Sequence, residues 1–172
     1  MLQVDDKQYN AYMSGCKCDG VTDDTPNFDK IMYWLESNNQ GGTVTIDGDL
    51  YINSEIEYKG KQRFVHEGAF NTGETLKVGI RLSCSNTTLN ITGGSSIKFG
   101  PHFHDSNAYF ISAVDQKFSG DYLYQGQLKN IRICGGGTID FTGAGCISTT
   151  MKLRRYGVTT GLVDGFDCHD IT

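Results

Sequence analysis

The sequence has 172 residues, a formal net charge of −5 and 22 glycines. The acidic balance argues against nucleic acid as a partner, since phosphate neutralisation needs a basic surface. No apolar run is long enough to span a membrane, and hydrophobic residues, at 38%, are too frequent for a disordered chain. The composition therefore predicts one folded domain with neither a membrane nor a nucleic acid as its partner.

Residues 1–24 are predicted to form an N-terminal lead-in segment and a turn. Residues 1–6 lack the basic and apolar regions of a signal peptide. Cys16 and Cys18 have C-x-C spacing, but no second pair or histidine follows at zinc spacing. We therefore predict no metal and no cofactor, and we interpret the six cysteines as free thiols that pack as small apolar side chains.

Residues 25–40 are predicted to form an amphipathic helix. Thr25 is a suitable N-cap, and Pro26 occupies the first helical position, where its missing N–H is not needed. Gly41 and Gly42 end the pattern. Apolar residues recur at i, i+3, i+4 and i+7, namely at Phe28, Ile31, Met32 and Leu35.

Residues 41–172 change to short β-branched runs bounded by Gly, Asn, Asp or Ser, which is typical of strands. The segment 88–99 aligns without gaps on 130–141, so that Leu89 matches Ile131 and Ile97 matches Ile139. This repeat of strand, glycine turn and strand predicts stacked coils. The predicted strands are Thr43–Ile46, Thr88–Ile91, Ser96–Phe99, Asn130–Ile133 and Thr138–Phe141.

A third copy of the repeat starts at residues 169–172, where the sequence stops inside its first strand. An open coil leaves apolar side chains and a strand edge without a partner. We therefore expect either that the chain is the N-terminal part of a longer protein or that a partner covers this end.

The opening of the chain resembles a known family. Asp19-Gly20-Val21-Thr22-Asp23-Asp24-Thr25-Pro26, the helix and then Gly41-Gly42-Thr43-Val44-Thr45-Ile46 resemble right-handed parallel β-helices of the pectate-lyase superfamily, closest in style to phage tailspike and appendage proteins. The resemblance is strongest over residues 15–52 and continues at 135–140. Cys18 departs from it, because the family commonly has glycine there.

The resemblance implies an all-β fold, a right-handed parallel β-helix whose first coil is capped by the helix. It implies the N-terminal part of a tailspike that recognises host cell-surface polysaccharide and, in the full protein, depolymerises it. It further implies a homotrimer on the phage tail of a virion, with other tail proteins as partners. In that family the opening motif has a structural capping role. The resemblance implies the same role for Asp19, Gly20, Asp23, Asp24 and Thr25.

Two segments near the end of the sequence carry candidate site residues. Glycoside hydrolysis uses two carboxyl groups, and the segment 164–170 offers Asp164, Asp167 and Asp170 as candidate catalytic residues. A solvated turn is the favoured alternative there, since turns prefer Asp and Gly. The only basic cluster offers glycan-binding candidates, with an exposed charged loop as the alternative: Lys152, Arg154, Arg155 and Tyr156.

Two further clusters remain open. His102 and His104, with Asp105, could approach a metal, but a loop that carries polar rings is favoured because no third ligand is evident. Aromatic residues between the repeat copies could line a carbohydrate groove or a subunit contact. These aromatic residues are Tyr109, Phe110, Phe118, Tyr122 and Tyr124.

Two alternative functions remain. A bacterial hydrolase or lyase of the pectate-lyase superfamily would be secreted and extracellular, which predicts a signal that residues 1–6 do not show. A non-catalytic module would bind glycan, or serve a structural role, without cutting it.

Overall fold

The computed structural model describes residues 7–38, 41–58, 76–104, 108–113, 130–144 and 158–160. Within these ranges it contains one α-helix, short β-strands and two 3₁₀ turns, at Pro101–Phe103 and Thr142–Ala144. Most strand pairs are parallel. The expectation of a mainly β chain with an N-terminal helix is therefore confirmed for the described part of the chain.

The helix α1 spans Thr25–Asn38. The predicted apolar face is confirmed, because Phe28, Ile31, Met32 and Leu35 are all buried in the same core as the strands. Burial of such side chains contributes about 1.5–3 kcal/mol each, so this face, and not helix propensity, holds the helix in place.

Twelve strands are described, and each is short. In chain order they are β1 (Gln8–Asn10), β2 (Asp19–Asp23), β3 (Gly42–Ile46), β4 (Asp49–Ile52), β5 (Ile56–Tyr58), β6 (Leu76–Leu82), β7 (Thr87–Ile91), β8 (Ser96–Phe99), β9 (Tyr109–Ala113), β10 (Arg132–Gly135), β11 (Thr138–Asp140) and β12 (Val158–Thr160).

These strands form three sheets of four strands each. The first sheet has the order β1-β3-β7-β10, the second β11-β8-β4-β2 and the third β12-β9-β6-β5. Only the β5–β6 pair among these is antiparallel. Along the chain, β7, β8 and β9 visit the first, second and third sheet in turn, and β10, β11 and β12 then repeat that order. Each visit to a sheet therefore adds a strand beside the previous one.

Apolar side chains align across the parallel strands and form the core. In the first sheet, Val44 pairs with Leu89, and Leu89 pairs with Ile133. In the second sheet, Leu50 pairs with Ile97. Because alternate residues of a strand face opposite sides, one side of the first and second sheets is apolar and the residues between these positions face outward. In the third sheet, β6 is buried on both sides, since Arg81 lies against the helix α1.

The gap-free repeat alignment is confirmed for its second strand and wrong for its first. Ile139 pairs with Ile97 as predicted, but Leu89 pairs with Ile133 and not with Ile131. The strand predicted at Asn130–Ile133 accordingly lies two residues later. The reason is turn length, because four residues join β7 to β8 and two glycines join β10 to β11.

Gly135 makes the shorter turn possible. Its φ of 116° lies in the region that favours glycine. A Cβ built on Gly135 would lie 2.0 Å from the carbonyl oxygen of Ile91, and one on Gly137 would lie 2.2 Å from the Ile91 side chain. The glycine run is therefore needed for close approach to the neighbouring strand as well as for turning.

An aromatic cluster closes the core between the second and third sheets. Phe99 stacks on Phe141 with ring centroids 5.4 Å apart, and it also contacts Phe103 and Phe110. Phe110 is 1% exposed. Its proposed role in a groove or a subunit contact is therefore wrong, because strand β9 turns this ring into the core. The side chains of Tyr109, Phe118, Tyr122 and Tyr124 lie outside the described residues.

Candidate functional site

The outward side of the second sheet carries a polar surface across parallel strands. Alternation along β4 and β8 buries Leu50 and Ile97 and leaves Asp49, Tyr51 and Lys98 partly exposed, whereas Ser96 is buried beneath its neighbours. The register places Asp49 beside Ser96, and Lys98 beside both Tyr51 and Asp140. We call this surface the polar face, and its members are Asp49, Tyr51, Ser96, Lys98, Thr138 and Asp140.

Both carboxylates of the polar face are held in the ionised form. Lys98 Nζ lies 2.5 Å from Asp49 Oδ2, and Ser96 Oγ donates to Asp49 Oδ1 at 2.7 Å. These two hydrogen bonds lower the pKa of Asp49. Thr142 donates its hydroxyl to Asp140 Oδ1 at 2.6 Å and its backbone N–H at 2.8 Å, which lowers the pKa of Asp140.

This ionisation decides what the polar face can do chemically. Glycoside cleavage needs one carboxyl group that is protonated and donates its proton to the leaving oxygen. Asp49 and Asp140 act only as hydrogen-bond acceptors, whereas Lys98 and the Thr138 hydroxyl can donate. The arrangement matches the mixed donors and acceptors of sugar hydroxyls, and it suits binding better than cleavage.

The acidic opening motif lies beside this face and organises the start of the helix. Asp24 is fully buried, and its carboxylate accepts from the backbone N–H groups of Lys17 at 2.6 Å and Cys18 at 3.0 Å. Asp23 Oδ1 accepts from the hydroxyl and the backbone N–H of Thr25 and from the N–H of Asn53. These carboxylates therefore tie the lead-in segment, the helix and strand β4 together.

Gly20 brings this motif close to the polar face. Its φ is 76°, and a Cβ there would lie 3.2 Å from the Asp49 Cβ. Thr25 Oγ1 in turn accepts from the backbone N–H of Ser54 at 3.3 Å. The bonds of this motif described above go to backbone N–H groups and to the Thr25 hydroxyl, which is a structural arrangement.

Asp19 should titrate far below an ordinary aspartate. Backbone N–H groups of Thr22 and Val21 and the Thr22 hydroxyl donate to it, and they lower its pKa from 3.8 to about 2. A depressed folded-state pKa adds stability that is fully present above the unfolded value and is lost as pH falls through the folded value. Carbon-detected NMR should place its midpoint near pH 2, and Asp19→Asn should flatten the fall in stability between about pH 4 and 2. A midpoint near 3.8 would contradict this prediction.

The four described cysteines are free thiols: Cys16, Cys18, Cys84 and Cys134. Burial, followed by the nearby Asp24 carboxylate, raises the pKa of Cys16 to about 12 and that of Cys18 to about 11. A thiol with such a pKa stays protonated at neutral pH and is therefore a poor nucleophile. The free-thiol state is confirmed for these four, and packing in the apolar core is confirmed for Cys16 and Cys84. Cys146 and Cys168 lie outside the described residues.

The histidine cluster forms part of a 3₁₀ turn. His102 Nε2 lies 3.3 Å from Glu55 Oε2, and Glu55 also pairs with Lys77 at 2.5 Å. Phe103, between the two histidines, is buried in the aromatic cluster. Among the described residues, no group of three His, Cys, Asp or Glu side chains is placed to hold a metal ion. Asp105 lies outside these residues.

The remaining candidates from the sequence lie outside the described ranges. These are the catalytic candidates Asp164, Asp167 and Asp170 and the glycan-binding candidates Lys152, Arg154, Arg155 and Tyr156.

Sequence reasoning missed the polar face, although the repeat contained its signal. Lys98 stands between Ile97 and Phe99, and Asp140 stands at the aligned position between Ile139 and Phe141. A polar residue between two inward apolar residues of a strand must face outward.

No protein-family model matches this sequence, and no curated protein matches it. Among the described residues, no helix is both long and apolar enough to cross a bilayer. The resemblance over residues 15–52 and 135–140 therefore remains a prediction from those residues.

Proposed function

We propose that the chain is the N-terminal portion of a right-handed parallel β-helix of the tailspike or appendage type, which recognises host cell-surface polysaccharide through its polar face. The full protein would assemble as a homotrimer on a phage tail and depolymerise that polymer. Two features support the β-helix: the resemblance at residues 15–52, and the repeated passage of the chain through three sheets in the same order.

The polar face is the observation that carries the proposed recognition. Its members lie on three neighbouring parallel strands, β4, β8 and β11, which extend over about 10 Å at the usual strand spacing. Ionised acceptors alternate there with the Lys98 ammonium and with hydroxyl groups. A polymer that repeats its hydroxyl groups can contact several strands at once. Its overall affinity is then higher than that of any single contact.

We assign cleavage of the polysaccharide to a part of the full protein other than the polar face. Asp49 and Asp140 are both ionised, so neither is the protonated carboxyl group that glycoside hydrolysis requires. The non-catalytic glycan-binding module therefore stays as the second candidate function, favoured by these same two pKa shifts. A digestion assay separates the two, since only an enzyme creates new reducing ends.

The proposed recognition can be tested by calorimetric titration of the 172-residue protein with purified capsular polysaccharides and lipopolysaccharide O-chains. For a polymer that binds, Lys98→Ala with Asp140→Ala should weaken affinity about a hundredfold or more, because each of the two lost charge-assisted hydrogen bonds contributes about 1.5–3 kcal/mol and about 1.4 kcal/mol corresponds to a tenfold change. The matched control is Lys17→Ala, an exposed lysine outside the polar face, whose affinity should not change. Unchanged affinity of the double variant, or no binding to any polymer, would overturn the proposal.

A further inference from the structure

A second concave site lies away from the polar face, beside helix α1. It is a pocket of about 350 Å³ between the helix and Arg81 of strand β6. Ligand pockets of this kind combine aromatic walls with a few fixed polar groups. The lining residues are Asp29, Lys30, Tyr33, Trp34, Ser37 and Arg81.

Two exposed aromatic rings form the wall, and each is held by one contact. Tyr33 is 59% exposed and Trp34 is 46% exposed. The ring of Tyr9 meets Trp34 edge-on with centroids 5.2 Å apart, and the Arg81 guanidinium carbon lies 5.3 Å from the centre of the Tyr33 ring. Because these contacts already restrict both rings, a ligand that stacks on them loses little side-chain freedom.

A buried charge network forms the floor of the pocket. Arg81 Nε lies 2.5 Å from Asp29 Oδ1, and Arg81 Nη1 lies 3.5 Å from Glu36 Oε2. Ser83 Oγ also donates to Glu36 Oε2 at 2.8 Å. The Arg81 side chain is only 7% exposed. The guanidinium is therefore fixed by the protein and is not free to capture an anion from solution.

The charges around the pocket balance. Asp29 and Glu36 are acidic, Arg81 is basic, and Lys30 adds a second positive charge at the rim, where it donates to Asn27 Oδ1 at 3.1 Å. A site without net charge does not favour a cation or an anion. It favours a neutral molecule with one apolar face and hydroxyl groups at its edge.

We propose that this pocket binds a single neutral sugar ring, which stacks on Trp34 and Tyr33 and hydrogen-bonds to Asp29, Lys30 and Ser37. The assignment of a sugar rests on the proposed glycan recognition, but the site is separate from the polar face. A clamp that only fastens the helix to β6 would explain the Asp29–Arg81–Glu36 network. It does not explain why two large aromatic rings stay exposed beside that network.

The single tryptophan of the chain makes the test specific. The 172-residue protein is titrated with glucose, galactose, rhamnose and N-acetylglucosamine while the emission of Trp34 is followed. We expect a saturable change with at least one of them, at a Kd of about 1 mM, since small ligands gain limited free energy per atom. A linear or absent response to all four sugars would overturn the proposal.

Substitutions test whether the change in Trp34 emission comes from sugar bound in this pocket. Tyr33→Ala should weaken sugar binding about three- to tenfold, in proportion to the loss of an aromatic contact, and Ser37→Ala should weaken it less. The control is Tyr12→Ala, because Tyr12 is also a highly exposed tyrosine, at 63%, but does not line the pocket. Circular dichroism checks that each variant folds, and equal weakening by Tyr12→Ala would overturn the proposal.

The experiments distinguish failure of the pocket proposal from failure of the proposed function. If polysaccharides bind and Trp34 does not respond to sugars, the pocket proposal falls and glycan recognition by the polar face stands. If sugars change Trp34 emission but no polymer binds, the pocket stands and the polar face loses its assigned role. A saturable response to choline with none to sugars, or burial of Trp34 in a dimer detected by sedimentation, would also overturn the sugar assignment.

Discussion

Replacing Asp24 with alanine should lower the free energy of unfolding by about 3–5 kcal/mol. The Asp24 carboxylate is fully buried and accepts from the N–H groups of Lys17, Cys18 and, at 3.5 Å, Tyr51. Alanine would leave these donors without an acceptor inside the protein, and each buried, unsatisfied group costs about 1–3 kcal/mol. Urea denaturation followed by circular dichroism measures the loss.

Two variants serve as comparisons for Asp24→Ala. Asp24→Asn keeps one acceptor oxygen and should show a smaller loss. Asp47→Ala removes an exposed carboxylate whose only described hydrogen bond is one of 3.3 Å from the Thr92 hydroxyl, and it should change stability by less than about 0.5 kcal/mol. A loss for Asp24→Ala as small as that of Asp47→Ala would mean that water replaces the carboxylate.

Replacing Phe99 with alanine should cost about 3–5 kcal/mol, the usual range for a buried aromatic side chain. Phe99 is 1% exposed, and its ring contacts Phe103, Phe110 and Phe141 at centroid distances of 4.8–5.4 Å. These partners come from the 3₁₀ turn, strand β9 and the residue after β11. The cavity would therefore loosen the contact between the second and third sheets, and not one strand alone.

Two measurements separate this cavity effect from a local one. Phe99→Leu keeps most of the apolar volume, so its loss should stay below about 1.5 kcal/mol. Hydrogen exchange on Phe99→Ala should show reduced protection of the β9 amides as well as of the β8 amides. Protection lost only in β8 would contradict the joining role assigned to this ring.

Local patterns were sufficient for the elements that need no distant partner. The helix follows from Thr25, Pro26 and the apolar spacing of Phe28 and Leu35, and the structure buries that face. The strand Ser96–Phe99 agrees residue for residue with its prediction. Each of these patterns is set within a few residues, where the helical and strand periods differ clearly.

Some features of the candidate sites likewise follow from local sequence patterns, and others do not. That Lys98 and Asp140 face outward follows from the strand period, and the repeat alignment already placed them at equivalent positions. The pairing of Lys98 with Asp49, and of Arg81 with Asp29, does not follow from any local pattern. Each pair joins residues about fifty positions apart. Only the pairing of β4 with β8 and the packing of the helix α1 against β6 bring them together.

The amino-acid sequence by itself determined the mainly β character, the N-terminal helix and the repeat of strand, glycine turn and strand. The tertiary structure decided the register of β10, which moved by two residues because Gly136 and Gly137 make a shorter turn. It also decided that Phe110 lies in the core. The physical reason is that a parallel strand finds its register through the side chains of the neighbouring strand, and those lie far away along the chain.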